Sequence, residues 1–243
     1  EDVTEQAKIM KRINKADKLS ALGVLSSGVA SELRNYINKM VMDLNFVENN
    51  IDSSNPAAEY VDSLQRDIEQ IKNISEQLWS LAVVDEKKKE LCEVNKLFTT
   101  HPLDVYIKKL RNEGFEVDIK TSDVNPVVKS SPNQLQQIVK EFIENAEQAM
   151  PDKGKITLTT TLMDNKDGKP FAFITVSDTG IGIPEENMKK IFQPFYTTKG
   201  KSATGLGMMI VSSIIENLGG YIGIKSKPGE GTSIRIALPA ETS

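Results

Sequence analysis

The chain has 243 residues, enough for one large domain or two small ones. Its hydrophobic content of 39%, charged content of 26% and net charge of −4 are ordinary for a soluble globular protein and do not indicate a nucleic-acid surface. No apolar run is long enough to span a bilayer, the single Cys92 cannot form an internal disulfide and suits a reducing cytosol, and the single His101 excludes a His-based metal cluster.

Residues 1–51 read as one long helix. Leu22, Leu25, Val29, Leu33, Ile37, Met40, Leu44, Val47 and Ile51 recur at spacings of three and four, and Ile9, Ile13 and Ala16 extend the stripe. A turn follows at 49–56, where Asn55 is placed to cap a second helix with Pro56 at its first position. Tyr60, Leu64, Ile68, Ile71, Ile74, Leu78 and Leu81 then continue the helical spacing. Two arms with one seam each predict a long helical hairpin, and a homodimer forming a four-helix bundle hides both seams.

The charged run 85–90 reads as a solvated linker, and the pattern changes after it. Residues 115–119 alternate with period two, as a strand does. Ser131-Pro132 opens a helix expected to run through Met150. Residues 156–162 and 171–176 read as strands around a turn at 164–168. Residues 206–218 read as a helix stopped by Gly219-Gly220. Residues 221–225 and 233–238 read as a hairpin around Pro228-Gly229-Glu230-Gly231. The expected class is α+β: a helical hairpin followed by an α/β sandwich whose mixed sheet carries helices on one face.

Four features of the second half stand in a fixed order. Glu141 and Asn145 are four apart on one helix, so they share a face and could hold a hard cation such as Mg²⁺ with phosphate oxygens. Ser177-Asp178-Thr179-Gly180-Ile181-Gly182-Ile183-Pro184 follows a strand. Its glycines let a planar ring approach the backbone, and the Asp178 carboxylate can accept a hydrogen bond from an exocyclic amine. Ile191-Phe192-Gln193-Pro194-Phe195-Tyr196-Thr197-Thr198-Lys199 is an aromatic hinge ending in hydroxyls and a cation, and the small, polar residues 200–203 after it read as a mobile lid. Thr204-Gly205-Leu206-Gly207-Met208 places glycines at a helix start, where bare backbone amides suit phosphate. Gly229-Glu230-Gly231-Thr232 closes the series.

This set resembles the ATP-binding domain shared by sensor histidine kinases, DNA gyrase and related ATPases, over residues 92–240. The resemblance implies ATP and Mg²⁺ as cofactors. Asn145 with Glu141 would coordinate Mg²⁺, and Asp178 would receive the adenine amino group. Gly180 and Gly182 would shape the base pocket, and Thr232 would support the adenine end. Lys199, Gly205, Leu206 and Gly207 would belong to the lid over the phosphates. In the first half, Leu19-Ser20-Ala21-Leu22-Gly23 and the stretch from Gly28 to Asn35 resemble the dimerisation and phosphoacceptor helix of sensor histidine kinases. On that resemblance residues 1–18 are a signalling helix leaving an upstream PAS-like sensor, 19–85 the phosphoacceptor-like hairpin, 86–91 a linker and 92–240 the catalytic domain. The implied protein is a cytoplasmic, homodimeric kinase core whose partner is the receiver domain of a response regulator.

The chain departs from that pattern at three places. Ser31 stands where the family carries its phosphorylated histidine, and Tyr36 where a proline usually follows. An introduced block and natural divergence both account for Ser31. A phosphoserine ester is a far poorer phosphate donor than phosphohistidine, and a serine hydroxyl is a weak nucleophile without a base, the role the family gives to the residue at Glu32. Glu32-x-x-Asn35 also resembles the family's motif for dephosphorylating a response regulator, with the amide positioning water. Glu141 replaces the asparagine of most sensor kinases, and glutamate at that spacing activates water in gyrase-like ATPases. The expected activity is therefore that of an ATP-binding kinase core in two-component signalling, with a nucleotide-binding scaffold or a regulator phosphatase as alternatives.

Overall fold

The computed structural model describes residues 33, 36–45, 47–48, 55, 60–61, 63–68, 71–72, 75, 89–165, 168–198 and 204–241. By contact the chain divides into one unit of residues 1–84 with 198–204 and a second of residues 85–197 with 205–243.

In the first unit, residues 36–45 and 63–68 are helical, as the apolar spacing predicts. Ile37, Leu44, Val61 and Ile68 form its buried cluster, with Leu33 and Val41 packed against it. The buried face is not the whole expected seam. Met40 and Val47 are exposed on the first arm, and Tyr60, Leu64 and Ile71 on the second. Each arm therefore carries two apolar stripes, one buried here and one open. Asn55 lies in a bend, while Pro56 and the helix start expected there fall outside the described residues.

The second unit is built on a five-stranded mixed sheet. Its elements in chain order are β1 (Glu90–Glu93), a 3-10 turn (Val94–Thr99), α1 (Leu103–Asn112), β2 (Glu116–Lys120), β3 (Val127–Ser130), α2 (Pro132–Gln148), β4 (Lys155–Asp164), β5 (Pro170–Asp178), the short α3 (Glu185–Met188), α4 (Gly207–Asn217), β6 (Tyr221–Lys227) and β7 (Gly231–Pro239). The sheet order is β2-β4-β5-β7-β6, and β1 and β3 form a separate antiparallel pair. Only β2 and β4 run parallel; the β4–β5, β5–β7 and β6–β7 pairs are antiparallel. This is the α+β class expected of the sequence.

Period-two alternation explains the layering. Ala172, Ile174 and Val176 of β5, Ile156 and Leu158 of β4 and Ile234, Ile236 and Leu238 of β7 are buried on one side. The helices supply the facing apolar stripes: Leu103, Ile107 and Leu110 from α1, Leu135, Ile138, Phe142 and Ile143 from α2, and Ile210, Val211, Ile214 and Ile215 from α4. The other side carries Thr157, Thr159 and Arg235, none of them buried. Phe142 is 1% exposed and Ile143 0%, so α2 is the central helix of this core.

Several boundaries differ from the sequence expectation. β1 begins at Glu90, inside the run read as linker, because a single buried side chain, Cys92, and pairing to β3 are all that fix it. β3 pairs only with β1 among the strands and is four residues long, too short to show a period. α2 ends at Gln148 rather than Met150, although Met150 is buried. Ser131 takes the extended N-cap conformation before Pro132, and its side chain makes no cap bond. The lid residues 200–203 lie outside the described residues.

Candidate nucleotide site

β5 delivers Asp178 to the edge of the core. Its carboxylate is oriented by two backbone amides, and both donate to the same oxygen: Gly180 N to Oδ1 at 2.8 Å and Thr232 N to Oδ1 at 3.2 Å. Oδ2 has no partner among the described residues and is the oxygen left for a ligand. Burial raises the Asp178 pKa above the ordinary carboxylate value, against the lowering effect of those two amides.

The turn after Asp178 is clamped on two sides. Ile181 N donates to the carbonyl of Ala149, just past α2, at 3.0 Å, and Gly229 N donates to the carbonyl of Ile181 at 2.8 Å. Ile183 N donates to Ser226 Oγ at 2.8 Å, and Ser226 Oγ in turn reaches the Gly231 carbonyl at 2.9 Å. Glycine is required at two positions by contact. At Gly180 a Cβ would strike the Ala149 carbonyl; at Gly182, where φ is +71°, it would strike the Lys227 carbonyl.

A second cluster lies further back along α2. Asn145 Nδ2 donates to Glu141 Oε1 at 3.2 Å, so the pair does share a helix face and is joined by its own bond. The glycine that opens α4, Gly207, packs directly against the Glu141 carboxylate, and no side chain fits there. Leu206, the residue before it, is 1% exposed and anchors the helix start in the core. Gly205 adopts φ +66°, and a Cβ there would strike the Phe195–Tyr196 backbone. Among the described residues no group of three or more His, Cys, Asp or Glu side chains gathers to hold a metal. Glu141 and Asn145 supply hard oxygen donors that suit Mg²⁺, but two donors leave most of its coordination to phosphate and water.

The structure thus brings Asp178, Gly180, Gly182 and Thr232 together around one turn. It brings Glu141, Asn145 and Gly207 together at the start of α4, with Gly205 and Leu206 leading into it. It also reveals parts the sequence did not single out. Ala149 and Ser226 hold the turn through a carbonyl and a hydroxyl, and Thr232 acts through its backbone amide. Carbonyl and amide roles have no residue signature, so only Ser226, two residues before a Pro-Gly turn, left any mark in the sequence. Lys199, Ser31, Glu32 and Asn35 lie outside the described residues. His101 is exposed, and its carbonyl accepts a bond from Gln136 Nε2 at 2.8 Å, a local structural role.

Residues 130–242 match the family described as histidine kinase-, DNA gyrase B-, and HSP90-like ATPase. The relatives that match nearly the whole chain are named as sporulation kinases and sensor histidine kinases. The chain is 29% identical to sporulation kinase E of Bacillus subtilis over 98% of its own length and 31% of that protein. With sporulation kinase C of the same organism it shares 31% identity over 93% of itself and 51% of the relative. Sensor histidine kinase ZraS of Escherichia coli is 25% identical over 95% and 48%. The chain thus spans a third to a half of these curated relatives. Among solved structures, full-length ShkA in complex with AMPPNP shares the fold with a TM-score of 0.73, at 21% identity over 90% of this chain and 46% of that one. The nucleotide-free catalytic domain of histidine kinase ThkA matches with a TM-score of 0.52, at 27% identity over 62% of this chain and 96% of that one.

Proposed function

We propose that this chain is a histidine kinase core that binds ATP·Mg²⁺ in the second unit and works as a cytoplasmic homodimer through its helical hairpin. The observation that carries the reading is the state of Asp178. One oxygen is pinned by two backbone amides, which leaves the other aimed at a single donor such as the adenine amino group. Gly180 and Gly182 let the turn after Asp178 close against the Ala149 and Lys227 carbonyls. Ala149 and Glu141 are eight residues apart, about 12 Å along the helix. That span suits a nucleoside at the Asp178 end with its phosphates at the α4 start. Mg²⁺, where bound, neutralises phosphate charge; Glu141 and Asn145 would hold it, and Lys199 with the lid would cover the phosphates. Isothermal titration tests this. ATP·Mg²⁺ should bind in preference to GTP·Mg²⁺, and equal or absent binding of the two would sink the reading.

What the protein does with the phosphate rests on position 31. Ser31, in the histidine's place, supports nucleotide binding without a phosphohistidine relay, so the chain acts as an ATP-responsive member of a two-component system. Its partner in the whole protein would be a receiver domain, with a PAS-like sensor upstream. The sequence Glu32-x-x-Asn35 supports a second reading, dephosphorylation of that receiver. It predicts faster loss of phosphate from a phosphorylated regulator, abolished by Asn35→Ala.

A further inference from the structure

The two edges of the five-stranded sheet are finished differently. β2 closes one edge, and its carboxylates Glu116 and Asp118 are both held by Lys155 at 2.6 Å. β6 forms the other edge. It pairs with β7 on one side, and among the described residues no strand pairs with the other side of its backbone. On the sheet face away from the helices, Gly223 stands opposite Arg235 and Lys225 opposite Ser233. Lys225 and Arg235 are exposed, and neither forms an ion pair among the described residues. Tyr221, at the start of this row, is 66% exposed. On the opposite face Ile222 and Ile224 extend the row of Ile236 and Ile234, but they are half-buried where those two are buried. Nothing in the chain demands glycine between them. A Cβ at Gly223 would meet only the Arg235 carbonyl, at 4.0 Å, and its φ lies outside the left-handed region. A glycine inside a strand leaves room for another chain to approach.

We propose that β6 is a docking edge for an extended segment of a partner protein in which acidic and aliphatic residues alternate. Laid beside β6, such a segment continues the sheet and pairs with the free side of its backbone. Successive side chains fall on opposite faces, so the aliphatic ones cover Ile222 and Ile224 while the carboxylates meet Lys225. A glutamate opposite Gly223 can lie across the vacant position towards Arg235. A second copy of β6 fits poorly, because pairing with faces matched gathers Lys225 and Lys227 of both chains on one side. Single-stranded nucleic acid also fits poorly, since its phosphates offer no donors to the carbonyls of the edge and no aliphatic row to the isoleucines. The edge needs no nucleotide, so its test is separate from that of the ATP reading.

Fluorescence anisotropy tests this with a labelled peptide of alternating glutamate and valine, seven residues long to match β6. The comparison probes are the lysine–valine counterpart, the glutamate–valine peptide with every backbone amide methylated, and an oligo-dT strand. The glutamate–valine peptide should bind the wild-type chain at least about tenfold more tightly than each of the three. Lys225→Glu, an exposed change, should weaken that peptide at least about tenfold and strengthen the lysine–valine one. Failure of the wild type to bind the glutamate–valine peptide overturns the proposal, as does an unchanged affinity in Lys225→Glu. Equal binding of the methylated peptide shows charge attraction without strand addition and overturns it too. Tighter binding of oligo-dT makes the surface a nucleic-acid platform and has the same effect.

Discussion

Asp178 is committed on one side only, and that asymmetry makes its chemistry predictable. The amides of Gly180 and Thr232 both require an oxygen at the Oδ1 position. In Asp178→Asn the amide oxygen must take that place, which turns the NH₂ group outward to face the ligand. A donor then opposes the adenine amine, at a cost of about 2–3 kcal/mol, or roughly a hundredfold in ATP affinity. A purine with a carbonyl at that carbon becomes the better partner, so competition between ATP and ITP checks the assignment. Stability should move the other way. The folded pKa of Asp178 lies above its unfolded value, so the ionised group opposes folding at neutral pH, and that cost fades as pH falls through the folded pKa. Asp178→Asn should therefore raise Tm at pH 7, with the gain shrinking towards pH 4. Asp178 itself was legible in the sequence, because an acid at a strand end before alternating glycines is a compact signal. Its orientation was not, since the second donor is a backbone amide 54 residues away.

At the scale of elements, α2 unites packing and chemistry. One face carries Leu135, Ile138, Phe142 and Ile143 into the core, and the same helix presents Glu141 and Asn145 to α4. Phe142→Ala should cost about 3–5 kcal/mol in chemical denaturation of the second unit. It should weaken ATP binding indirectly, with adenosine and ATP losing affinity together. The 3.6 period of the sequence located this helix to within two residues at its end, because a long amphipathic segment repeats its signal. The same logic failed on β1 and β3, which are four residues each. In the hairpin it named Leu33, Ile37, Leu44 and Ile68, missed Val41 and Val61, and merged two faces. Leu33, Ile37, Val41 and Leu44 face the buried cluster of the first unit, whereas Met40, Val47, Tyr60, Leu64 and Ile71 remain exposed. Spacings of three and four fit both stripes, so periodicity alone could not assign them. The open stripe is the surface on which the proposed homodimer depends. Leu64→Glu should shift the chain from dimer to monomer by light scattering while its far-UV helicity changes little, because that side chain is 51% exposed in the single chain. A variant that stays dimeric would remove this stripe from the interface.

For the molecule as a whole, the proposed function turns on the residue at position 31. The sequence raised that question, since its second half resembles an ATP-site pattern and Ser31 stands where the resemblance implies a phosphorylated histidine. Attack by a serine hydroxyl on the terminal phosphate needs a base to take its proton, whereas an imidazole nitrogen presents a lone pair at neutral pH. Glu32, the neighbouring acid, remains in place, so restoring the nucleophile alone tests whether the rest of the apparatus works. With γ-labelled ATP, the chain as it stands should bind nucleotide and take up no label. Ser31→His should acquire label that is lost in acid and kept in base, the behaviour of a P–N bond. If the wild type takes up acid-stable label that disappears in Ser31→Ala, the chain is a serine kinase and the reading without relay fails. If Ser31→His binds ATP yet stays unlabelled, the nucleotide site does not deliver phosphate to that helix. Binding would then be the whole of its function, and ATP would act on this protein as a ligand that sets the state of the hairpin rather than as a substrate.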